Sequence, residues 1–283
     1  MTAADRPAGQ PDLAGWWQTA ISHIEPGTIE FRGHRIQELL AERGFVEVIW
    51  LMVRGGLPTP QQARLLEAAL VASVDHGPQA PSIATARMAA TCGVGLNNAI
   101  ASGVNLLGDV HGGAGQQCVE LLHEIVAEHD TADATSMVPA AGKVVARWRA
   151  RGDRYLPGFG HRFHPVDPRR APILALLDEA RRDGVIDGRY VDAGLAVEEV
   201  LNQGRSRPVP INVDGVTAMI YAELGFVPEL ARGLFVLGRT VGILSHAWEQ
   251  TQQGGRIKGP MPPSILPRYT GPAAPAAPTA GAA

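Results

Sequence analysis

Apolar residues recur at helical spacing along most of the chain. This spacing predicts helices over residues 36–44, 46–55, 61–74, 83–91, 97–107, 114–128, 142–151, 171–183, 192–202, 216–224 and 229–252. A short helix is also predicted over 16–22, and the β-branched residues around a glycine in 27–35 predict a small hairpin. Because other strand patterns are few and there is no alternation of strands with helices, the sequence predicts a mainly α, all-α fold.

The two ends of the chain have a different composition. Residues 1–12 are rich in Ala, Pro, Gly and Asp, and we expect them to be frayed. Residues 254–271 predict an extended arm, since Pro and Gly interrupt any regular pattern there. The stretch 271–283 is of low complexity and is expected to be disordered.

Composition and charge narrow the class of protein. The chain has 283 residues, of which 45% are hydrophobic, and a net charge of −3, so we expect no binding to nucleic acid or to an anionic membrane. No apolar run is long enough for a bilayer span, and the N-terminus lacks the apolar core of a secretory signal. Cys92 and Cys118 lie in apolar helical patterns, which predicts buried, reduced thiols in a cytoplasmic protein.

The stretch 156–170, LPGFGHRFHPVDPRR, carries the densest candidate chemistry. Its glycines and prolines predict a shaped loop, and the loop contains two histidines, an aspartate and three arginines. Taken alone, this composition also fits a solvated basic turn. Three similar breaks, at 75–77, 111–113 and 212–215, each place a His or Asp beside glycine at a helix end. The structural alternative is a helix cap for His76 and Asp214 and a hydrogen-bonded core histidine for His111.

Several other motifs do not carry chemistry. His123-Glu124 and His129 resemble a zinc helix, but the i+6 spacing of the histidines puts the two rings on different faces. His161 and His164 have no acidic or cysteine partner in the pattern, so no metal site is predicted. Gly93-Val94-Gly95 lacks the third glycine of a dinucleotide loop, and the chain has no phosphate-binding P-loop motif and no nucleophile elbow.

Five motifs, taken together and in order, resemble the citrate synthase superfamily. They are VDHGPQAPS, HGGA, PGFGHRFHPVDPR, NVDG and FVLGRTVGILSHAWEQ, and the resemblance covers roughly residues 36–260. It implies a helical homodimer with the active site in a cleft between a large domain (1–112 and 226–283) and a small domain (113–225). It also implies a CoA thioester as substrate, with no tightly bound cofactor.

The resemblance assigns three catalytic roles. His111 corresponds to the histidine that hydrogen-bonds the thioester oxygen, and Asp214 to the carboxylate that moves the proton at the acetyl methyl group. His161 corresponds to the histidine that acts at the carbonyl or hydroxyl oxygen of the oxaloacetate half. These roles fit the chemistry, because an enolate needs a hydrogen-bond donor at its oxygen and a carboxylate at its carbon. His111 also directly precedes a predicted helix N-terminus, which favours a neutral imidazole.

The resemblance also implies binding residues. Substrate carboxylates are expected at His76, Arg162, Arg169 and Arg239. CoA is expected at Pro157, Gly158, Phe159, Gly160, Arg256 and Lys258. Synthases of this family carry a carboxylate-binding arginine near the C-terminal end, and Gly259 stands at that position here. Arg256 or Lys258 is the candidate substitute for it.

The shortness of the chain and the forms of its 160–162 loop and 238–246 helix favour the citryl-CoA lyases, including the lyase module of ATP-citrate lyase. The sequence therefore predicts cleavage of (3S)-citryl-CoA to acetyl-CoA and oxaloacetate, with His161 taking the hydroxyl proton. Two alternatives stay open at this point: a citrate or 2-methylcitrate synthase, and a catalytically silent relative that binds CoA or citrate.

Overall fold

A computed structural model describes residues 15–131, 135–152, 155–161 and 164–274. The described residues form three short strands and eleven helices, which confirms the predicted mainly α class. The elements are β1 (Ser22–Glu25), β2 (Thr28–Phe31), β3 (His34–Arg35), α1 (Ile36–Glu42), α2 (Phe45–Arg54), α3 (Pro60–Ser73), α4 (Pro81–Ala90), α5 (Leu96–Val104), α6 (Ala114–Asp130), α7 (Val138–Ala150), α8 (Arg170–Arg182), α9 (Arg189–Asn202), α10 (Val213–Glu223) and α11 (Pro228–Gln253). Every helix predicted from residue 36 onward is present, with ends shifted by a few residues.

The N-terminal sheet confirms one prediction and corrects another. The predicted hairpin is present, because β2 pairs antiparallel with β1 and with β3. The turn between β2 and β3 has positive φ at Arg32 and Gly33, as the tight turns of two-stranded hairpins require. The helix predicted over 16–22 is wrong. Residue Ile21 instead accepts a hydrogen bond from the backbone N–H of Arg32, and β1 begins at the next residue.

The chain divides into two compact units. The first comprises residues 1–75 and 107–239, and the second comprises residues 76–106 and 240–283. Helix α11 begins in the first unit and ends in the second. The division into a large domain and a small domain of residues 113–225, which the resemblance implies, stays a prediction.

In the first unit, α10 is the central helix. All its residues from Gly215 to Ala222 are buried, and it contacts α3, α6, α8 and α9. In the second unit, α4 packs closely on α5. A Cβ at Gly103 would lie 2.8 Å from the backbone oxygen of Ser82 and 3.2 Å from the Ala86 side chain, so only glycine permits this approach. This agrees with the small-residue pattern of both helices.

The described residues also test the predictions for the two cysteines and for the C-terminal arm. Cys118 is buried as predicted, but the prediction for Cys92 is wrong, because its position at the end of α4 leaves it exposed. Residues 254–274 form an exposed arm without helix or strand, as expected. The segments 1–12 and 275–283 lie outside the described residues. Within the described parts of the chain, every helix is too short or too polar to cross a membrane.

Candidate active site

The N-terminus of α10 is the centre of the candidate site. Asn212 caps the helix, since its side-chain oxygen accepts hydrogen bonds from the backbone N–H of Asp214 at 2.9 Å and of Gly215 at 3.3 Å. The capping role that the sequence left open for Asp214 therefore belongs to Asn212. The Asp214 side chain, in the first turn of the helix, is available for chemistry.

The loop predicted to receive CoA pairs with the segment that leads into α10. Phe159 and Ile211 form an isolated antiparallel bridge. The Gly160 N–H donates to the Pro210 oxygen at 2.7 Å, and the Asn212 N–H donates to the Gly158 oxygen at 2.9 Å. The side-chain amide of Asn212 also donates to the Gly160 oxygen at 2.7 Å. The 157–160 loop and the start of α10 therefore form one hydrogen-bonded structure.

Two glycines allow this close packing. Gly158 has a φ of +86°, and a Cβ there would lie 2.6 Å from the Cys118 sulfur and 2.8 Å from Gly215 Cα. A Cβ at Gly215 would lie 2.5 Å from the Gly158 oxygen and 2.3 Å from the Ile211 side chain. Neither position has room for a larger residue unless the backbone moves.

Asp214 lies in a mixed electrostatic environment. Burial raises the pKa of its carboxyl group, the positive charges of Arg239 and Arg169 partly oppose that shift, and Asp167 adds to it. The residue as a whole is half-buried. A carboxyl group with a raised pKa, in reach of two arginines, is suited to exchange a proton with a carbon acid.

Arg239 is an almost fully buried cation on α11. The residue is 6% exposed, its Nε donates to the Ser73 oxygen at 2.8 Å, and its guanidinium lies 4.9 Å from the centre of the Phe235 ring. Burial lowers the pKa of Arg239, while Asp214 and Asp75 raise it. Burying a guanidinium is unfavourable unless anions compensate it, so the two carboxylates help to hold it there.

Arg169 is held by a buried aspartate two residues before it. Its Nε and Nη2 donate to the two carboxylate oxygens of Asp167, both at 2.9 Å, and its Nη1 donates to the Ala72 oxygen at 3.0 Å. Burial alone would raise the pKa of Asp167, but the hydrogen bonds from Arg169 and from the Val213 N–H bring it to about 2. Asp167 is therefore ionised across the physiological range.

The ring of His161 has a defined hydrogen-bonding orientation. Its Nδ1 accepts a hydrogen bond from the backbone N–H of His164 at 3.1 Å, and the two rings lie 4.6 Å apart. A neutral imidazole that accepts at Nδ1 carries its proton on Nε2. Burial lowers the pKa of His161. The charge of Asp167 opposes this shift, and the charges of His164 and Arg169 add to it. The ring is therefore neutral near pH 7 and is a donor at Nε2.

His111 lies in a tight turn that leads into α6. Its backbone oxygen accepts a hydrogen bond from the Gly108 N–H at 2.8 Å, and a Cβ at Gly113 would lie 2.4 Å from the Asp109 oxygen. Burial, and then the charge of Arg239, lower the pKa of His111. A lowered pKa favours the neutral imidazole at physiological pH.

The remaining predicted site residues belong to the second unit or lie outside the described residues. His76 belongs to the second unit and is exposed. Arg256 and Lys258 are exposed, and the Lys258 N–H donates to the Thr91 hydroxyl at 2.9 Å. Arg162 lies outside the described residues. Among the residues that are described, no group of three or more His, Cys, Asp and Glu has the geometry of a metal site.

Two arginines act electrostatically on the three predicted catalytic residues of the first unit. The charge of Arg239 acts on both His111 and Asp214, and the charge of Arg169 acts on both Asp214 and His161. Two neutral imidazoles, one carboxyl group and two guanidiniums are the groups that enolate chemistry on a carboxylate-bearing substrate requires.

The sequence does not predict the roles of two residues in this arrangement. Asn212 lies in the NVDG motif, and its position directly before an apolar helix is the signal that identifies a typical cap. Asp167 lies in the charged 156–170 loop, and its position two residues before Arg169 does not by itself reveal the bidentate pair. The hydrogen bond from Val213 to Asp167 spans 46 residues of sequence and has no local signal.

Known proteins with similar sequences include citrate synthases. The family model described as citrate synthase, C-terminal domain, matches residues 14–64 and 58–261. The citrate synthase of Haloferax volcanii is 29% identical over 221 residues, which are 78% of this chain and 53% of that one. The citrate synthase of Helicobacter pylori is 31% identical over 231 residues, which are 74% of this chain and 51% of that one. The chain thus spans about half the length of these curated relatives.

Solved structures with the same fold include a lyase of similar length. Citryl-CoA lyase from Hydrogenobacter thermophilus aligns with a TM-score of 0.78 and 29% identity, covering 93% of this chain and 97% of that one. ATP citrate lyase from Methanothrix soehngenii, in complex with citrate and coenzyme A, aligns with a TM-score of 0.76 and 22% identity. That alignment covers 93% of this chain and 42% of the lyase. Because the family model matches most of the chain, the protein belongs to the citrate synthase family.

Proposed function

We propose that this protein cleaves (3S)-citryl-CoA to acetyl-CoA and oxaloacetate. The observation that carries the proposal is structural likeness: the Hydrogenobacter citryl-CoA lyase aligns over 93% of this chain with a TM-score of 0.78 and 29% identity. The presence of His111, His161 and Asp214 in one compact unit supports a catalytic function. The reaction needs no cofactor beyond its CoA thioester substrate.

The cleavage can be written with every proton accounted for. The tertiary hydroxyl group gives its proton to Nε2 of His161, and the bond between its carbon and the CH2 beside the thioester breaks. The oxygen becomes the ketone of oxaloacetate, and the electron pair forms the enolate of acetyl-CoA. Neutral His111 donates a hydrogen bond to the enolate oxygen, and the protonated Asp214 carboxyl gives its proton to the CH2 to form the methyl group. The raised pKa of Asp214 favours this acid role.

The tautomer of the His161 ring decides which direction of the reaction this residue assists. In condensation, its Nε2–H donates to the ketone oxygen of oxaloacetate. In cleavage, His161 can take the hydroxyl proton only at a bare Nε2. Its own proton then has to lie on Nδ1, and the hydrogen bond from His164 has to open.

Two other functions remain as alternatives. A citrate or 2-methylcitrate synthase is favoured by the sequence relatives, which are named citrate synthases. It would condense an acyl-CoA with oxaloacetate, with Asp214 as base, and then hydrolyse the thioester. A silent relative that only binds CoA or citrate is less well supported, because a half-buried carboxyl with a raised pKa lowers stability and gives no benefit to binding alone.

Two assays separate these functions. The first supplies (3S)-citryl-CoA and measures oxaloacetate and free thiol, and the second supplies acetyl-CoA with oxaloacetate and measures free thiol. Oxaloacetate formation without thiol release supports the lyase, and thiol release that depends on oxaloacetate supports the synthase. Absence of turnover in both assays, with retained CoA or citrate binding, would indicate the silent relative.

We further propose that the protein is a homodimer that associates through α11. Four apolar residues at helical spacing, Leu237, Val241, Leu244 and Trp248, are each between 39% and 56% exposed on this helix. Such a stripe is unfavourable in water and is typical of helix pairing. Light scattering should give a dimer for the wild type and a monomer for Leu244→Glu. The control Val71→Glu, at an exposed position of α3, should remain dimeric.

A further inference from the structure

Two adjacent arginines at the start of α8 each pair with a carboxylate. Arg169 pairs with Asp167, which also accepts a hydrogen bond from the Val213 N–H at 3.2 Å. Arg170 pairs with Glu198 at 2.6 Å, and Glu198 also accepts from the Ile211 N–H at 2.8 Å. Each carboxylate therefore connects the start of α8 to the segment that leads into α10.

The two carboxylates differ in what they connect. Asp167 contacts Arg169, a predicted ligand of the substrate carboxylate, and Val213, the residue directly before Asp214. The side chain of Asp167 is fully buried, whereas that of Glu198 is 16% exposed. The partners of Glu198 have no predicted role in the reaction. Glu198 is thus a matched control for Asp167 within the same chain.

We propose that Asp167 is a positioning residue, which orients the Arg169 guanidinium toward a substrate carboxylate and fixes the first turn of α10, where Asp214 lies. The inference rests on the proposed function. A bidentate pair fixes the plane of a guanidinium, so it also fixes the direction of the remaining N–H bonds of that group. The additional bond from the Arg169 backbone N–H to Asp167, at 3.0 Å, restrains the same residue at a second point.

Asp167 also sets the balance of charge around the site. The charged groups that act on Asp214 are Arg239, Arg169 and Asp167, and those that act on His161 are Asp167, His164 and Arg169. In each set Asp167 raises the pKa, and Arg169 lowers it. Removing the Asp167 charge would therefore lower the pKa of both groups. This effect of charge is separate from the orientation of Arg169, which the change in KM reports.

The test compares Asp167→Asn with Glu198→Gln in the full-length protein, by steady-state cleavage of (3S)-citryl-CoA between pH 5 and pH 9. Asp167→Asn should raise KM at least about tenfold, since a misoriented guanidinium loses its bond to the substrate. The kcat profile should also shift to lower pH, because removing the Asp167 charge lowers the pKa of Asp214. Glu198→Gln should keep KM within about twofold and leave the profile in place.

A second variant tests the link to α10 if Asp167→Asn fails to fold. Val213→Pro removes the N–H that donates to Asp167, and proline is well tolerated at this first helical position. The proline ring carbon takes the place of this N–H beside Asp167 Oδ2, so the carboxylate has to move away from the start of α10. The variant should lower kcat at least about tenfold, because the placement of Asp214 is affected, and should raise KM, because the same carboxylate holds Arg169.

Three results would overturn the proposal. The first is equal kinetics and equal thermal destabilisation of Asp167→Asn and Glu198→Gln. The second is a Val213→Pro variant with wild-type kcat. The third concerns a wild type that turns over neither citryl-CoA nor acetyl-CoA with oxaloacetate, a result that by itself refutes only the proposed function. Oxaloacetate binding, measured by calorimetry, then replaces KM. Positioning by Asp167 is refuted if Asp167→Asn binds oxaloacetate as tightly as the wild type does, or if the wild type does not bind it.

Discussion

Replacing Gly158 by alanine tests the close packing between the 157–160 loop and α10. The φ of +86° costs a residue with a Cβ about 1–2 kcal/mol. The added Cβ would also lie 2.6 Å from the Cys118 sulfur and 2.8 Å from Gly215 Cα, and such overpacking costs about 1–3 kcal/mol more. The free energy of unfolding should therefore fall by about 2–5 kcal/mol. At about 3 °C per kcal/mol, Tm should fall by about 6–15 °C.

The matched control is Gly184→Ala. Gly184 also has a positive φ, of +70°, but a Cβ there would have no neighbour within 4 Å. It should lose only the backbone contribution of about 1–2 kcal/mol, which is about 3–6 °C in Tm. Calorimetry or thermal denaturation followed by circular dichroism measures both variants. Equal losses of Tm would refute the argument, since the two glycines differ mainly in their neighbours. Turnover should fall at least about tenfold in Gly158→Ala and stay near wild type in Gly184→Ala.

Three further predictions follow from the pKa shifts and from burial. The pKa of Asp167 is about 2 in the fold against an ordinary 3.8, so its stabilisation is complete above about pH 4 and is lost as the pH falls toward 2. In urea titrations, the wild type should lose about 2 kcal/mol more than Asp167→Asn between pH 5 and pH 2. Burial and the charge of Arg239 lower the pKa of His111. Arg239→Met should therefore raise the pKa of His111 in an NMR titration, and an unchanged pKa would contradict this electrostatic interaction. A thiol reagent should modify Cys92 in the native protein but Cys118 only after unfolding, and equal rates would contradict the burial of Cys118.

The helices were largely predictable because their signals are local. The capping box of α3, with Thr59, Pro60 and Gln62, is fully encoded in consecutive residues and is present in the structure. The failure at 16–22 has a non-local cause. The backbone there pairs with Arg32, and both Trp16 and Trp17 stay exposed, so their apolar character does not report helical packing. Likewise, the pattern around Cys92 did not reveal that the helix ends two residues earlier, at Ala90.

The candidate residues of the site follow from the sequence motifs, but the hydrogen bonds between its segments do not. The motifs identify His111, His161 and Asp214 by resemblance, and the structure places all three in one unit. The tautomer of His161 follows from a backbone bond within its own loop, which depends on the loop's conformation and not on its composition. The link from Asp167 to the start of α10 joins two distant segments of the chain, and only their packing reveals it.

Hydrogen exchange at the methyl group of acetyl-CoA tests the central claim most directly, since lyase and synthase share the enolate. The protein is incubated in D2O with acetyl-CoA and malate, which resembles oxaloacetate but has no ketone to attack, and deuterium in the acetyl group is measured by mass spectrometry. We predict exchange in the wild type and a loss of at least about a hundredfold in Asp214→Asn, whose amide cannot take the proton. Wild-type exchange rates in Asp214→Asn, or absence of exchange in the wild type, would contradict the account.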